Sequence, residues 1–127
     1  MVYTGFTEAL SHVVPVLRVA DAERSLEFYA DQLGFRETSR YQAEPDLPLV
    51  ISIARGGAAL MLSEHAEVPA GVVVYIHTHE LDTVFHELAA RGITLELAPT
   101  DMPWGMRELR LRDPDGNTLR IGQSRLV

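Results

Sequence analysis

The chain has 127 residues, which is long enough for one compact unit that buries most of its surface on folding. It carries a formal net charge of −7. This acidic balance argues against nucleic acid as a partner, because contacts with phosphates need a basic surface, and it would favour a cationic ligand. No apolar run is long enough to span a membrane, and the absence of cysteine is compatible with a cytoplasmic protein.

The chain opens with a predicted strand and a predicted helix. Residues 1–11 show no clear periodicity and are left undecided between a helical turn and a loose arm. Residues 12–21 alternate as a strand does, and Pro15 within them indicates an edge position or a join, because proline cannot donate to a ladder. Asp21 is a suitable N-cap for a helix that ends at Gly34. The apolar stripe of this helix consists of Ala22, Leu26, Tyr29 and Leu33.

Three further strands are predicted in the first half of the chain. They lie at residues 35–41, 49–54 and 58–63, each bounded by polar or glycine-containing segments. A polar loop at 42–48 separates the first two of these strands. The Arg-Gly-Gly sequence at 55–57 separates the last two and is typical of a tight hairpin turn.

The same order of elements then recurs. Residues 72–78 are predicted as a strand, and residues 79–91 as a helix that Gly92 ends. Residues 93–97 begin another strand. The inward side of the second helix is predicted to carry Leu81, Val84, Phe85 and Leu88.

The last predicted feature is a hairpin in the segment PWGMRELRLRDPDGN, residues 103–117. Its centre alternates, so that Leu109 and Leu111 share one face of a strand, while Glu108 and Arg110 share the other. The DPDGN sequence then supplies a turn, because proline presets φ and glycine permits a positive φ. An alternating pattern restarts after this turn and completes the hairpin.

The recurring order predicts an α+β fold with an internal repeat. Two β-α-β-β-β modules, at about residues 12–64 and 71–123, would form one domain over residues 1–127. A four-stranded sheet with a single helix leaves its other face open. We therefore expect the two modules to pair and to enclose a shared cavity.

Two segments of the chain resemble the vicinal oxygen chelate superfamily, which contains glyoxalase I, extradiol dioxygenases and bleomycin resistance proteins. They are VLRVADAERSLEFYADQLGF and PWGMRELRLRDPDGN, and the resemblance extends over about residues 13–123. It implies that the paired β-α-β-β-β modules form an eight-stranded, incompletely closed barrel around a ligand cavity.

The resemblance also implies four positions where enzymes of the superfamily hold a divalent metal ion. By motif spacing they fall on Val14, Met61, Val73 and Arg120. None of these side chains suits such an ion, since valine has no donor atom, a thioether prefers soft metals and arginine is a permanent cation. We therefore expect no metal and no other cofactor. A displaced site built from His12, His77 and Glu108 is the alternative.

The bleomycin resistance branch, which binds a drug and catalyses no reaction, is the most similar part of the superfamily. This likeness predicts a metal-free protein that sequesters an aromatic or cationic compound, such as a bleomycin-type antibiotic, with no catalytic residues. It also predicts a homodimer with ligand grooves at its interface, where the N-terminal strand crosses over at Pro15. The predicted ligand contacts are Trp104, Tyr75, His77, Met61, Ser63, Arg120 and Glu108.

Two alternatives remain open at this point. Trp104, the single tryptophan, could stack on a ligand or could simply cap the end of the barrel. The protein could also be a metal-dependent lyase, isomerase or dioxygenase that uses the displaced site.

Overall fold

The computed structural model describes residues 5–126, and in them the order β-α-β-β-β occurs twice. The first copy consists of β1 (Val16–Arg18), α1 (Ala22–Leu33), β2 (Arg36–Tyr41), β3 (Val50–Arg55) and β4 (Ala58–Ser63). The second copy consists of β5 (Val73–His77), α2 (Leu81–Ala90), β6 (Leu97–Asp101), β7 (Met106–Arg112) and β8 (Thr118–Ser124). The predicted α+β fold with its internal repeat is therefore confirmed.

Each copy forms its own four-stranded sheet. The strand orders are β1-β4-β3-β2 and β5-β8-β7-β6, and in each sheet the first strand runs parallel to its neighbour. In the part of the chain that the structure describes, no strand of one sheet pairs with a strand of the other. The eight strands therefore do not close into a continuous barrel, which agrees with the incompletely closed arrangement predicted.

The core lies on the helix-covered side of both sheets. Alternation places one set of side chains from every central strand against the helices, and these residues are almost completely buried. They include Leu17, Ile51, Ile53, Leu60 and Leu62 in the first sheet and Val74, Leu109, Leu111, Leu119 and Ile121 in the second. The opposite face of each sheet is left free of its own helix, and the candidate site lies there.

The first helix has the ends that the sequence predicts. Its N-cap is Asp21, whose side chain accepts a hydrogen bond from the Arg24 amide at 3.2 Å, and its C-cap Gly34 is left-handed, with φ of 72°. The second helix begins two residues later than predicted, at Leu81. Side chains fix the preceding turn, because the Glu80 amide donates to Thr78 Oγ1 and the Leu81 amide donates to Gln123 Oε1.

Two strand predictions were wrong in their bounds. The first strand covers only Val16–Arg18 instead of residues 12–21, because Pro15 has no N–H and contributes only its carbonyl, which accepts from the Met61 amide. The strand predicted from residue 93 begins at Leu97, since the Ile93 amide bonds back to the end of α2. Of the undecided segment 1–11, residues 5–11 form no regular element and residues 1–4 lie outside the described residues.

The DPDGN turn ties the second module to the first. The Tyr29 hydroxyl of α1 donates to Asp113 Oδ2 at 2.7 Å, and the Ala20 amide donates to Asp115 Oδ1 at 2.8 Å. Asn117 is fully buried, donates to the Arg18 carbonyl and accepts from the Val72 amide. This turn therefore sets the relative position of the modules, and β8 starts directly after it. Neither described helix has the length and apolar character that a membrane crossing requires.

Candidate functional site

The helix-free side of the second sheet carries a cluster of charged and aromatic side chains. Strand register places Tyr75 directly beside Arg120, and Arg110 directly beside Arg120 on its other side. Glu108 is two residues from Arg110 on β7, and His77 is two residues from Tyr75 on β5, so pleating puts all five on the same side. We call this surface the charged face.

Glu108 is the centre of the charged face and is completely buried. Arg120 donates to both of its carboxylate oxygens, from Nε at 2.9 Å and from Nη2 at 3.0 Å, and the Tyr75 hydroxyl donates at 3.2 Å. The bidentate hydrogen bonds from Arg120 hold the pKa of Glu108 below the ordinary glutamate value of 4.5. Glu108 is therefore an ionised carboxylate that already accepts hydrogen bonds from Arg120 and Tyr75.

Tyr75 packs closely on its surroundings. The Arg120 guanidinium lies 4.9 Å from the centre of its ring, and the His77 ring centre lies 5.0 Å away. A Cβ atom at position 122 would overlap the Tyr75 hydroxyl, so Gly122 provides the space in which this ring lies. Burial, followed by the negative charge of Glu108, raises the pKa of the Tyr75 hydroxyl. Tyr75 is therefore a neutral donor at physiological pH.

Arg110 differs from Arg120 because its guanidinium has no close hydrogen-bond acceptor among the described residues. Its side chain is about one-third exposed, its Nη2 lies 3.7 Å from Glu108 Oε2, and its Nε is buried without a hydrogen-bond partner among the described residues. Sequence reasoning placed Arg110 beside Glu108 on one face of the strand but did not select it as a ligand contact. The strand alternation was the available signal.

The centre of the corresponding surface of the first sheet is uncharged, although Arg18 stands beside Ser63 on the same face. There Val16 lies directly beside Met61, and Met61 lies directly beside Ser52. The predicted contact Ser63 is buried, and its hydroxyl accepts a hydrogen bond from the His65 amide. Met61 and Ser63 therefore belong to the other sheet, and no hydrogen bond among the described residues joins either of them to the charged face.

The residues at the four implied metal positions do not fit a divalent cation. Strand register brings Tyr75 rather than Val73 beside Arg120, and Val16 rather than Val14 beside Met61. Moving the implied metal positions on β1 and β5 by two residues would therefore add only one polar side chain, the phenol of Tyr75, and its hydroxyl already donates to Glu108. The Arg120 guanidinium is itself a permanent cation in this position.

The alternative set of His12, His77 and Glu108 is not brought together as metal ligands. His12 is exposed before β1, where its Nδ1 lies 2.9 Å from the Ser11 hydroxyl, and both oxygens of Glu108 accept hydrogen bonds from Arg120. Within residues 5–126, no three His, Cys, Asp or Glu side chains are grouped so that they could hold a metal ion.

Trp104 lies in the turn that precedes β7, and its side chain is 56% exposed. The turn is closed by a hydrogen bond from the Met102 amide to the Met106 carbonyl at 2.7 Å. Met106 pairs with Ser124, two residues beyond the pairing of Glu108 with Gly122. Trp104 therefore lies at the end of the second sheet where β5 ends in His77.

A cavity of about 920 Å³ borders the charged face at the β5 edge of the second sheet. It lies between the β3–β4 turn, α2 and β5, and most of its lining is apolar. Tyr75 and His77 line it, whereas the other predicted ligand contacts do not. Its charged groups include Arg55 and Glu87, which pair with each other at 2.6 Å. Tyr75 therefore connects the cavity with the Glu108 cluster.

The sequence matches one protein-family model over nearly its whole length. Residues 9–121 match the model described as the Glyoxalase/Bleomycin resistance protein/Dioxygenase superfamily. No curated protein sequence matches the chain.

Several solved structures share the fold. A member of the same superfamily from Sphaerobacter thermophilus DSM 20745 is 26% identical, with a TM-score of 0.72 over 91% of this chain and 98% of its own. TnmS3, an antibiotic binding protein from Streptomyces sp. CB03234, is 27% identical, with a TM-score of 0.73 over 93% and 99%. A bleomycin-binding protein complexed with bleomycin, at 22% identity and a TM-score of 0.73 over 91% and 99%, shows likeness of fold alone.

Proposed function

The chain belongs to the Glyoxalase/Bleomycin resistance protein/Dioxygenase superfamily, and on that premise we propose that it is a metal-free protein that binds a small aromatic molecule without chemical reaction. Residues 12–64 and 71–123 would act as the two halves of one binding unit. An antibiotic is a reasonable class of ligand, because TnmS3, an antibiotic binding protein, is 27% identical over 93% of the chain.

The observation that carries this proposal is the position of Arg120. Its guanidinium lies at a position where the family resemblance implies a metal ligand, and it makes two hydrogen bonds to the buried Glu108. A divalent ion placed there would meet a fixed positive charge, and it would compete with Arg120 for the carboxylate. The donor set therefore favours binding over metal-assisted catalysis.

The aromatic part of the proposal is supported by the surfaces available for stacking. Tyr75 and His77 line the cavity, and Trp104 is exposed at the same end of the second sheet. A flat ring stacked on any of these side chains would gain about 0.5–1.5 kcal/mol beyond simple burial. Stacking of this kind suits a planar aromatic compound of drug-like size, for which a cavity of about 920 Å³ has room.

We also propose that the functional unit is a homodimer. The N-terminal segment before β1 exposes large apolar side chains, with Phe6 at 79%, Leu10 at 97% and Val13 at 86% exposure. Both sheets have a helix-free face, and a second copy would cover such faces and complete the grooves between them. Apolar residues in an extended segment would then be buried between the two copies.

Metal analysis combined with a fluorescence titration tests this proposal. We expect the purified protein to hold far less than one metal ion per chain and to keep its ligand affinity after treatment with a chelator. Bleomycin at micromolar concentration is one ligand to titrate, with Trp104 fluorescence as the signal. Trp104→Phe is the control that removes the signal, and calorimetry on this variant reports binding independently.

The competing function is a metal-dependent lyase, isomerase or dioxygenase. Stoichiometric nickel, zinc, manganese or iron that is lost in His12→Ala or His77→Ala would establish a displaced metal site and overturn the proposal. Unchanged fluorescence and no heat with bleomycin would remove that ligand from the candidates.

A further inference from the structure

The charged face holds one more positive charge than its own acid can neutralise. Arg110 and Arg120 contribute two guanidinium groups, and Glu108 contributes one carboxylate. Glu108 already accepts two hydrogen bonds from Arg120 and one from Tyr75. Arg110, whose nearest approach is 3.7 Å, is therefore left without a strong partner on this surface.

We infer that Arg110 binds an anionic group, so that the ligand of this protein is an organic acid with an aromatic part, the acid being a carboxylate or a comparable oxyanion. This inference depends on the proposed binding function and specifies the chemistry of its ligand. The overall negative charge of the chain favours a cationic ligand. At the charged face we expect an anionic ligand instead.

Cross-strand geometry supports the inference. Arg110 and Arg120 stand directly opposite each other on β7 and β8, a pairing in which like charges repel. The Nε of Arg110 is buried and has no acceptor among the described residues, which is a costly state for a donor. An oxyanion would accept from Nε and from an adjacent Nη together, since a guanidinium presents them as a fork. One ligand group would thus remove both penalties.

Among residues 5–126, the elements around Arg110 offer no acid that could take this role. On β7, Arg112 shares the face with Arg110 but already pairs with Glu96 at 2.6 Å. On β6, the residue opposite Arg110 is Leu97. The helix-free face of the first sheet, which a second copy would present in a dimer, carries Val16, Ser52 and Met61 at its centre. Within the described residues, no acid besides Glu108 lies beside Arg110, and a bound oxyanion would supply the missing negative charge.

The overall charge of −7 does not remove this local preference. Interactions between exposed charges are largely screened beyond about 8 Å at physiological ionic strength. Contact between Arg110 and an oxyanion takes place well inside that distance and in a partly buried position. The negative surface would slow the approach of an acid, while the local contact would still determine which ligand stays bound.

Three probes with the same aromatic part separate the effect of charge from that of the ring. They are 2-naphthoate, 2-naphthamide and 2-naphthylmethylammonium, each titrated by calorimetry into the full-length protein. We expect the carboxylate to bind at least about tenfold more tightly than the neutral amide, and the ammonium to bind most weakly. Arg110→Gln should bring the ratio of carboxylate to amide affinity close to one.

Arg112→Gln is the matched control, because it removes the same charge from the same strand and the same face. The ratio of carboxylate to amide affinity should stay near its original value in this variant. A variant pair that behaves identically would overturn the inference, since the preference would then come from the general field. Circular dichroism of each variant checks that the fold is retained.

The outcomes distinguish this inference from the proposed function. If the amide or the ammonium binds as tightly as the carboxylate, the protein binds aromatic molecules but Arg110 is not an anion site. If none of the three binds to the folded protein, both the aromatic ligand class and the anion site are overturned. Carboxylate preference that survives Arg110→Gln places the anion elsewhere and also overturns the inference.

Discussion

At the scale of single residues, Arg120 has two consequences for this chain. It puts a permanent positive charge at a position where the family resemblance implies a metal ligand, and it keeps Glu108 ionised by donating to both of its oxygens. Glu108 in turn accepts from Tyr75, so the three side chains form one hydrogen-bonded unit. A buried carboxylate of this kind should make stability depend on pH in a specific way.

We predict that Glu108→Gln costs about 2–3 kcal/mol of unfolding free energy at neutral pH. This lies below the usual cost of breaking a buried pair because Arg120 is partly exposed. Arg120 lowers the pKa of Glu108 below the ordinary glutamate value of 4.5. The stability that the ionised Glu108 contributes is therefore fully present above pH 4.5 and is lost as the pH falls through the lowered pKa. The difference between the two proteins should therefore shrink as the pH falls below that value.

Urea unfolding at several pH values measures this difference. The control is Glu96→Gln, which breaks the more exposed ion pair with Arg112 and should cost less than about 1 kcal/mol at neutral pH. Equal losses from the two substitutions, or a gap for Glu108 that widens in acid, would contradict the role given to the Glu108 cluster.

At the scale of elements, the order of strands and helices could be predicted from the sequence, but several contacts could not. Alternation in β7 separated the buried Leu109 from the charged Glu108, and the cap signals located α1. The lack of a strong partner for Arg110 depends on which residues lie opposite it on β6 and β8. Those pairings are set by long-range strand register, which one sequence does not reveal.

The packing of β5 on β8 gives a prediction at this scale. Gly122→Ala would place a methyl group where the Tyr75 ring lies, so the ring would be displaced from Glu108. We expect a loss of about 1–3 kcal/mol in unfolding free energy from this overpacking. Urea unfolding measures the loss, and a nuclear Overhauser contact between the Tyr75 ring and β8 reports the displacement directly.

Gly57→Ala serves as the control for this substitution. Gly57 lies in the β3–β4 turn without a positive φ, and a Cβ atom there meets nothing within 4 Å. Its substitution should leave the unfolding free energy nearly unchanged. A loss at position 57 as large as that at position 122 would show that the effect is not caused by contact with Tyr75.

At the scale of the whole molecule, the two modules share a fold but differ in the chemistry of their helix-free faces. The first presents Val16, Ser52 and Met61, whereas the second presents the charged face with Arg110 and Glu108. A binding groove that combines the two kinds of surface would hold the apolar part of a ligand against one and its charged group against the other. Such a groove needs the two surfaces to face each other, which the proposed dimer would achieve.

We predict that Leu10→Glu weakens this dimer. Leu10 is 97% exposed in the isolated chain, and its burial against a second copy would contribute about 1.5–3 kcal/mol in each of two symmetry-related contacts. The dimer dissociation constant should therefore rise at least about a hundredfold. Sedimentation velocity over a range of protein concentrations measures this dissociation constant.

Leu47→Glu is the control, because Leu47 is also exposed but lies in the loop between β2 and β3. Equal dissociation in both variants, or a wild-type protein that stays monomeric at every concentration, would contradict a dimer built on the N-terminal segment.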